Sequence, residues 1–217
     1  MRTLLLVWTC VAAIALNKPV VAQPCLDPTI LSWQQHYKYE LLKDPRSPLT
    51  AADTGNLRFY APLCGNTGHF HTKLRRTPDA KPIQMATHSG KVKTFRPYGK
   101  LQIWEYIGVI DLRPRFLVTG KSTLTLYESV DRPDDTTLFL PFYDETNGTE
   151  TYAGGRYIDI PRSTFDKKGW GDLDFGKAYN PWCAYKEGYN CPIPPKENRI
   201  KRRIEAGEKL YAGPHKK

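Results

Sequence analysis

Hydrophobic positions along the chain change their period once. Across Leu26–Lys43, Ile30, Trp33, Tyr37 and Leu41 recur at helical spacing, which predicts one apolar helix face. Asp27 can cap the first turn, and Pro28 suits a first helical position whose N–H would lack a partner anyway. The run ends at Asp44-Pro45, because a residue before proline is pushed out of the helical region, and Pro45–Asp53 reads as a loop. From Leu57 onward the period is two. Expected strands are Leu57–Tyr60, His69–Arg75, Pro82–Thr87, Val92–Arg96, Leu101–Ile110, Phe116–Val118, Ser122–Glu128 and Thr137–Phe142, each short and bounded by Gly, Pro, Asn or Asp. Ser89-Gly90-Lys91 and Gly99-Lys100 read as hairpin connections. The pattern predicts a mostly β fold, an antiparallel sandwich or partly closed barrel, with one N-terminal helix. No second run is long enough for a crossover helix, and no period repeats.

The first 22 residues follow neither period. Arg2 precedes the uncharged, largely apolar stretch Leu4–Leu16, and Val20-Val21-Ala22 offers small residues for cleavage, so Met1–Ala22 is expected to be a secretory signal peptide. No apolar run reaches the roughly 18–20 residues of a membrane span, and the expected mature chain has none. Residues 23–195 are expected to form one β-rich domain in a secreted, extracellular protein. Residues 196–217 form a basic C-terminal segment whose first part belongs to that domain. The net charge is +10, and Lys196–Lys217 carries eight Lys/Arg against three Glu, so half of the excess sits in that segment. It reads as a solvated arm that could hold an acidic extracellular polymer; nucleic acid is not an expected partner outside a cell.

Four cysteines follow the signal segment: Cys25, Cys64, Cys183 and Cys191. An even count in an oxidising compartment argues for two disulfides with three connectivities open, of which Cys25–Cys64 with Cys183–Cys191 is the favoured one. Cys-x7-Cys lacks the tight spacing of a structural zinc site. His69-x-His71 puts two imidazoles on one strand face, but no third ligand is identifiable, so no metal and no cofactor are expected. Nucleophile-elbow, zinc-protease, P-loop and dinucleotide motifs are absent. Asn147-Gly148-Thr149 is a glycosylation acceptor pattern and, equally, a turn signal.

Two late segments are dense in Tyr, Asn, Pro and Cys. The first carries Asp144, Thr146, Asn147, Gly148, Glu150, Thr151, Tyr152, Gly155, Arg156 and Tyr157. The second carries Asp174-Phe175, Ala178-Tyr179-Asn180-Pro181, Cys183-Ala184, Cys191-Pro192, Pro194-Pro195, Asn198 and Ala206-Gly207-Glu208. With Lys43–Leu49, these segments resemble the hallmark runs of the bacterial and archaeal family called domain of unknown function 1684. The likeness spans most of the chain; Gly176 and Tyr143 depart from it, standing where the family usually has Asn and Arg. It implies no activity, because the family's function is unassigned.

The residues themselves support three readings. Arg156, beside Asn180, Asn198, Tyr152 and Tyr179, would make a fork, amides and phenols suited to a small anionic or carbohydrate ligand, with Tyr152, Tyr157, Tyr179 and Trp182 either core or the stacking wall of a carbohydrate pocket. Alternatively, Glu208 or Asp144 serves as the carboxylate base of a hydrolytic or transfer enzyme, with Arg156 stabilising negative charge. The third reading is an extracellular matrix component that uses its basic tail. Against all of them stands a structural network in which Arg156 pairs with Glu208 or Asp144.

Overall fold

The computed structural model describes residues 25–64, 68–109 and 115–217. The expected signal peptide, Met1–Ala22, and the strand end at Ile110 lie outside the described residues. Helix α1 (Pro28–Lys43) starts as its sequence dictates: the Asp27 carboxylate accepts the backbone N–H of Thr29 at 2.8 Å and of Ile30 at 3.4 Å. Its inner face holds Ile30, Gln34 and Leu41, so Trp33 is displaced from the expected apolar stripe and stacks half-exposed on Tyr37, ring centroids 5.3 Å apart. Ile30 is seated against Gly176, where any Cβ would meet its methyl groups at 3.2 Å.

Seven strands, β1 (His69–Arg76), β2 (Ile83–Ala86), β3 (Val92–Val109), β4 (Arg115–Ser129), β5 (Thr137–Phe142), β6 (Arg156–Pro161) and β7 (Trp170–Asp174), form one curled antiparallel half-barrel. The order is β6-β5-β4-β3-β1-β7, with β2 beside the start of β3. Ser89-Gly90-Lys91 does join β2 to β3, with Gly90 at φ +79°. Gly99-Lys100 does not reverse the chain. Val92–Arg96 and Leu101 onward are one strand, paired along its length with β4, which likewise fuses the two runs expected at 116–118 and 122–128. Pro97 and Gly99 instead mark a bulge. Proline cannot donate to the ladder, and a Cβ on Gly99 would stand 2.6 Å from the Arg75 carbonyl oxygen, so this pair bends a central strand rather than ending it.

Leu57–Tyr60 is not a strand either. It contributes one bridge, Phe59 to Glu208, while Leu57 packs with Leu41 and Leu49 beneath the helix. Conversely, β6 and β7 lie in what reads as loop. Their apolar signal is short, and β6 opens on a charged residue that turns out to be interior.

The concave face gathers Leu74, Leu101, Ile103, Leu124, Leu126, Leu138, Leu140, Phe142, Ile158 and Ile160. A smaller cluster of Met85, Phe95 and Tyr127 occupies the other face, so β4 is buried on both sides over residues 124–127, while Thr123 is exposed. The irregular chain from Phe175 to the C-terminus closes the main core with Phe175, Ala178, Ile200, Ile204 and Ala206. Residues 196–217 are therefore not a free arm. Burying each isoleucine is worth about 1.5–3 kcal/mol, enough to hold the segment down despite its charge. Cys25–Cys64 and Cys183–Cys191 are bonded, with Cα atoms 5.4 and 6.3 Å apart. Among the described residues no helix is long and apolar enough to cross a membrane.

Candidate functional site

Arg156 begins β6 with its side chain wholly buried. Nη2 donates to Asp144 Oδ2 at 2.6 Å and to the Ile204 carbonyl at 3.0 Å; Nη1 donates to the carbonyls of Ala206 at 2.5 Å and Glu208 at 3.3 Å. The ring of Phe142 lies 5.3 Å below the guanidinium. Asp144 is aimed by its own turn, since Oδ1 accepts from the Thr146 amide at 2.7 Å and hydroxyl at 2.5 Å. The terminal nitrogens of the fork are thus filled by protein oxygens. Both partners have no exposed side-chain surface, so the pair ties the chain reversal at 144–156 to the C-terminal segment.

Glu208 continues this network on the side facing helix α1. Oε2 accepts the Asn180 backbone N–H at 2.8 Å and the Tyr37 hydroxyl at 3.3 Å, while Oε1 accepts the Tyr185 hydroxyl at 2.6 Å. Burial outweighs these donors and raises the Glu208 carboxyl to about 7. Burial and the nearby Glu208 charge also push the Tyr37 and Tyr185 phenols well above their ordinary range. Asn180 Nδ2 donates to the Lys209 carbonyl at 2.8 Å.

The structure thus brings Arg156, Asp144, Glu208 and Asn180 together, sealed from solvent. Asn198 is elsewhere. Its amide accepts the Thr125 N–H at 2.7 Å and donates to the carbonyls of Thr125 and Pro141, both at 2.8 Å. β4 and β5 share one registered pair, Tyr127 with Phe139, and the Asn198 side chain spans them where the ladder is missing. Tyr152 is half-buried and donates to the Cys183 carbonyl at 3.4 Å. Asn147 is part of the turn: Oδ1 accepts the Asp144 N–H at 2.7 Å, and Nδ2 donates to Thr151 Oγ1 at 3.0 Å and the Tyr152 carbonyl at 2.8 Å. Both amide hydrogens of the sequon thus have inward partners.

The open concavity lies in front of this network, between α1, the end of β6 and residues 177–182. It encloses about 340 Å³, at the lower end of the range of ligand pockets. Its apolar surfaces are rings: Trp33 and Tyr37 from the helix, Tyr179 and Trp182 from the segment opposite. Tyr37 and Tyr179 are tilted neighbours with centroids 5.6 Å apart, and Arg46 lies 5.8 Å over Trp182. Glu40, Asp44 and Asp159 line the groove, against Lys177 as the permanent cation, with His36 beside them. The Tyr179 hydroxyl donates to Asp159 at 2.6 Å, which fixes that ring. Arg46 bonds Asp44 at 2.7 Å and holds its carboxyl down at about 2. The groove is therefore aromatic-walled and acidic.

Of the residues singled out in the sequence as ligand contacts, Tyr179 and Trp182 line this groove. Trp33, His36, Glu40 and Lys177 were missed. Trp33, Tyr37, Glu40 and Asp44 follow one another at three- and four-residue steps, with His36 three after Trp33, so the stripe was present in the sequence but its two aromatics read as core. His69 and His71 lie on another surface, where His71 Nδ1 meets Asp172 at 2.8 Å and its ring stacks on Trp170 at 5.1 Å. Among the described residues no group of three or more His, Cys, Asp or Glu is arranged to hold a metal ion.

Comparison with other proteins gives a family and a fold. The family model described as "Protein of unknown function (DUF1684)" matches residues 64–209. The solution structure of an uncharacterized protein from gene locus rrnAC0354 of Haloarcula marismortui is 22% identical, with TM-score 0.57 over 85% of this chain and 97% of that one. At that identity the likeness is one of fold. No curated protein matches the chain.

Proposed function

The chain belongs to the DUF1684 family of proteins of unknown function, and we propose that this member is a carbohydrate-binding module whose site is the groove between α1 and residues 177–182. The observation that carries the reading is the pairing of four aromatic rings with carboxylates in one open concavity. Sugar rings present apolar C–H faces that stack on aromatic side chains, and hydroxyls that donate to carboxylates. The same groove argues against a small anion as its ligand: Glu40, Asp44 and Asp159 outnumber Lys177 and the Arg46 that pairs with Asp44, so an anion would meet net negative charge. Both terminal nitrogens of Arg156 are taken by protein oxygens, its buried Nε has no partner, and the side chain has no exposed surface, so its part is positioning. It anchors the C-terminal segment that holds Glu208 behind Tyr37. The expected export and the two disulfides suit an extracellular role.

Indole fluorescence and Trp Nε1–H NMR signals, followed while neutral cello-, chito- and xylo-oligosaccharides are added, test the reading. We expect saturable changes at Trp33 and Trp182 for at least one series. These changes should be lost in Trp182→Ala, with cooperative unfolding retained. No response to any of the three series, or an equal response in Trp182→Ala, refutes it.

A second reading has one observation behind it. Glu208, held near 7, bonds the hydroxyl of a tyrosine whose ring lines the groove, an arrangement fit for acid–base work in a hydrolase or transferase. It requires turnover of a glycoside that binds, with a pH profile abolished in Glu208→Gln. Binding without turnover leaves the module alone.

A further inference from the structure

A second recess shares no lining residue with the aromatic groove, and its chemistry is opposite. It spans about 390 Å³ between the end of β1, the bulge of β3 and the β6–β7 connection. Four cations line it, Arg76, Arg162, Lys167 and Lys168, against one carboxylate, Asp166. That carboxylate already accepts the backbone N–H groups of Lys168 and Trp170, both at 2.8 Å, so it is directed into its own turn rather than at the cations.

The recess is built rather than incidental. Its floor is Tyr98, which packs on the main core together with Phe165. The Arg76 guanidinium stacks on that ring at 3.6 Å from its centroid, and Arg162 approaches it at 4.7 Å. Arg162 is fixed further by the Asp135 carbonyl and the Glu128 carboxylate, both at 3.0 Å. Stacking on a ring leaves the edge of a guanidinium, where its N–H donors point, free for an oxygen-rich partner. Arg76, Lys167 and Lys168 form no ion pair among the described residues; only Asp166 feels the charge of Lys168, so four cations against one carboxylate leave the recess net positive.

We infer that this recess binds a phosphate or sulfate monoester. A tetrahedral oxyanion matches the guanidinium edge of Arg76 and the two flexible ammonium groups, and the volume leaves room for the ring that carries the ester. The attraction expected of the C-terminal tail is accordingly reassigned. Several tail charges have partners inside the molecule: Arg203 pairs with Glu150 and Glu205, Lys216 with Asp53 at 2.6 Å, and Arg199 stacks on Tyr143 at 4.6 Å.

Backbone amide NMR on the full domain tests this, with glucose 6-phosphate, glucose 6-sulfate, inorganic phosphate and glucose as probes. We expect the amides of Lys168 and Gly169 to shift saturably with either ester and not with glucose. A response to inorganic phosphate equal to that of the esters places recognition in the oxyanion alone; a weaker one shows that the ring contributes. The double variant Arg76→Gln/Lys168→Gln should weaken ester binding at least about tenfold, as expected for loss of charge-assisted bonds. Lys201→Gln/Arg203→Gln, on the tail, should leave it unchanged. The inference fails if neither ester shifts those amides, if the double variant binds as tightly as the parent, or if the tail variant is the one that loses binding. The indole signals of Trp33 and Trp182 report the other groove separately, so either site can fail without the other.

Discussion

Replacing Glu208 by glutamine should flatten the dependence of stability on pH between about 4.5 and 7. The carboxyl is wholly buried and ionises near 7 in the folded protein, against 4.5 for an ordinary glutamate. Between those values the folded state keeps a proton that the unfolded chain has released. Folding then binds more protons than unfolding, and stability must fall as pH rises through this window. At about 1.4 kcal/mol for each pH unit separating the two ionisations, the loss amounts to about 3 kcal/mol by the time pH exceeds 7. For a domain of this size that is roughly 6–12 °C in Tm. Glutamine mimics the neutral acid: its oxygen can accept the Asn180 N–H, and its amide can donate to the Tyr185 oxygen, leaving that hydroxyl free for Tyr37. The assay is urea or thermal denaturation of wild type and Glu208→Gln at intervals from pH 4 to 8. Asp44 and Asp53, both depressed by cationic partners, act in the opposite sense and below this window, where stability falls as acid protonates them. A wild type that gains stability from pH 5 to 7.5, or a variant with the same slope as wild type, would refute the assignment of a neutral buried acid.

Two further substitutions probe the frame around it. Arg156→Met leaves Asp144 buried without its countercharge and should cost about 3–5 kcal/mol in urea unfolding; adding Asp144→Asn should restore part of that loss, and a double variant no better than the single would refute the pairing. Gly207→Ala should destabilise by about 1–3 kcal/mol, since the residue sits at φ +78° and a Cβ would stand 2.6 Å from the carbonyl oxygens of Phe175 and Ala178; unchanged thermal unfolding would show that the turn before Glu208 relaxes freely.

Local rules were enough for the parts of this protein built from local interactions. Helix α1 was legible because Asp27, Pro28 and the Asp44-Pro45 stop act within a few residues of the positions they govern. The turn at Gly90 and the alternation along β1, β2 and β5 were legible for the same reason. The cysteine spacing also favoured the pairing observed. What escaped was set by partners distant in the chain. Gly99 reads as a turn until the Arg75 carbonyl lies against it, and only then does it become a bulge in an uninterrupted strand. Arg156 could have been a ligand fork or a buried ion pair, and the return of residues 204–208 across the sheet decided for the pair by filling its nitrogens with carbonyl oxygens. Asn198 became a clamp because β4 and β5 diverge after a single registered pair.

Trp33 and Tyr37 show the limit most clearly. Periodicity records that two rings share a helix side, but whether that side is interior depends on what the rest of the chain sets opposite. Here Ile30, Gln34 and Leu41 took the inner face, and the two rings were left to wall a groove with Tyr179 and Trp182. Helix and sheet class were thus written in neighbouring residues, where capping and alternation operate. Burial, register and pocket lining were settled only when segments more than a hundred residues apart met, because desolvation belongs to the assembled surface rather than to any stretch of it.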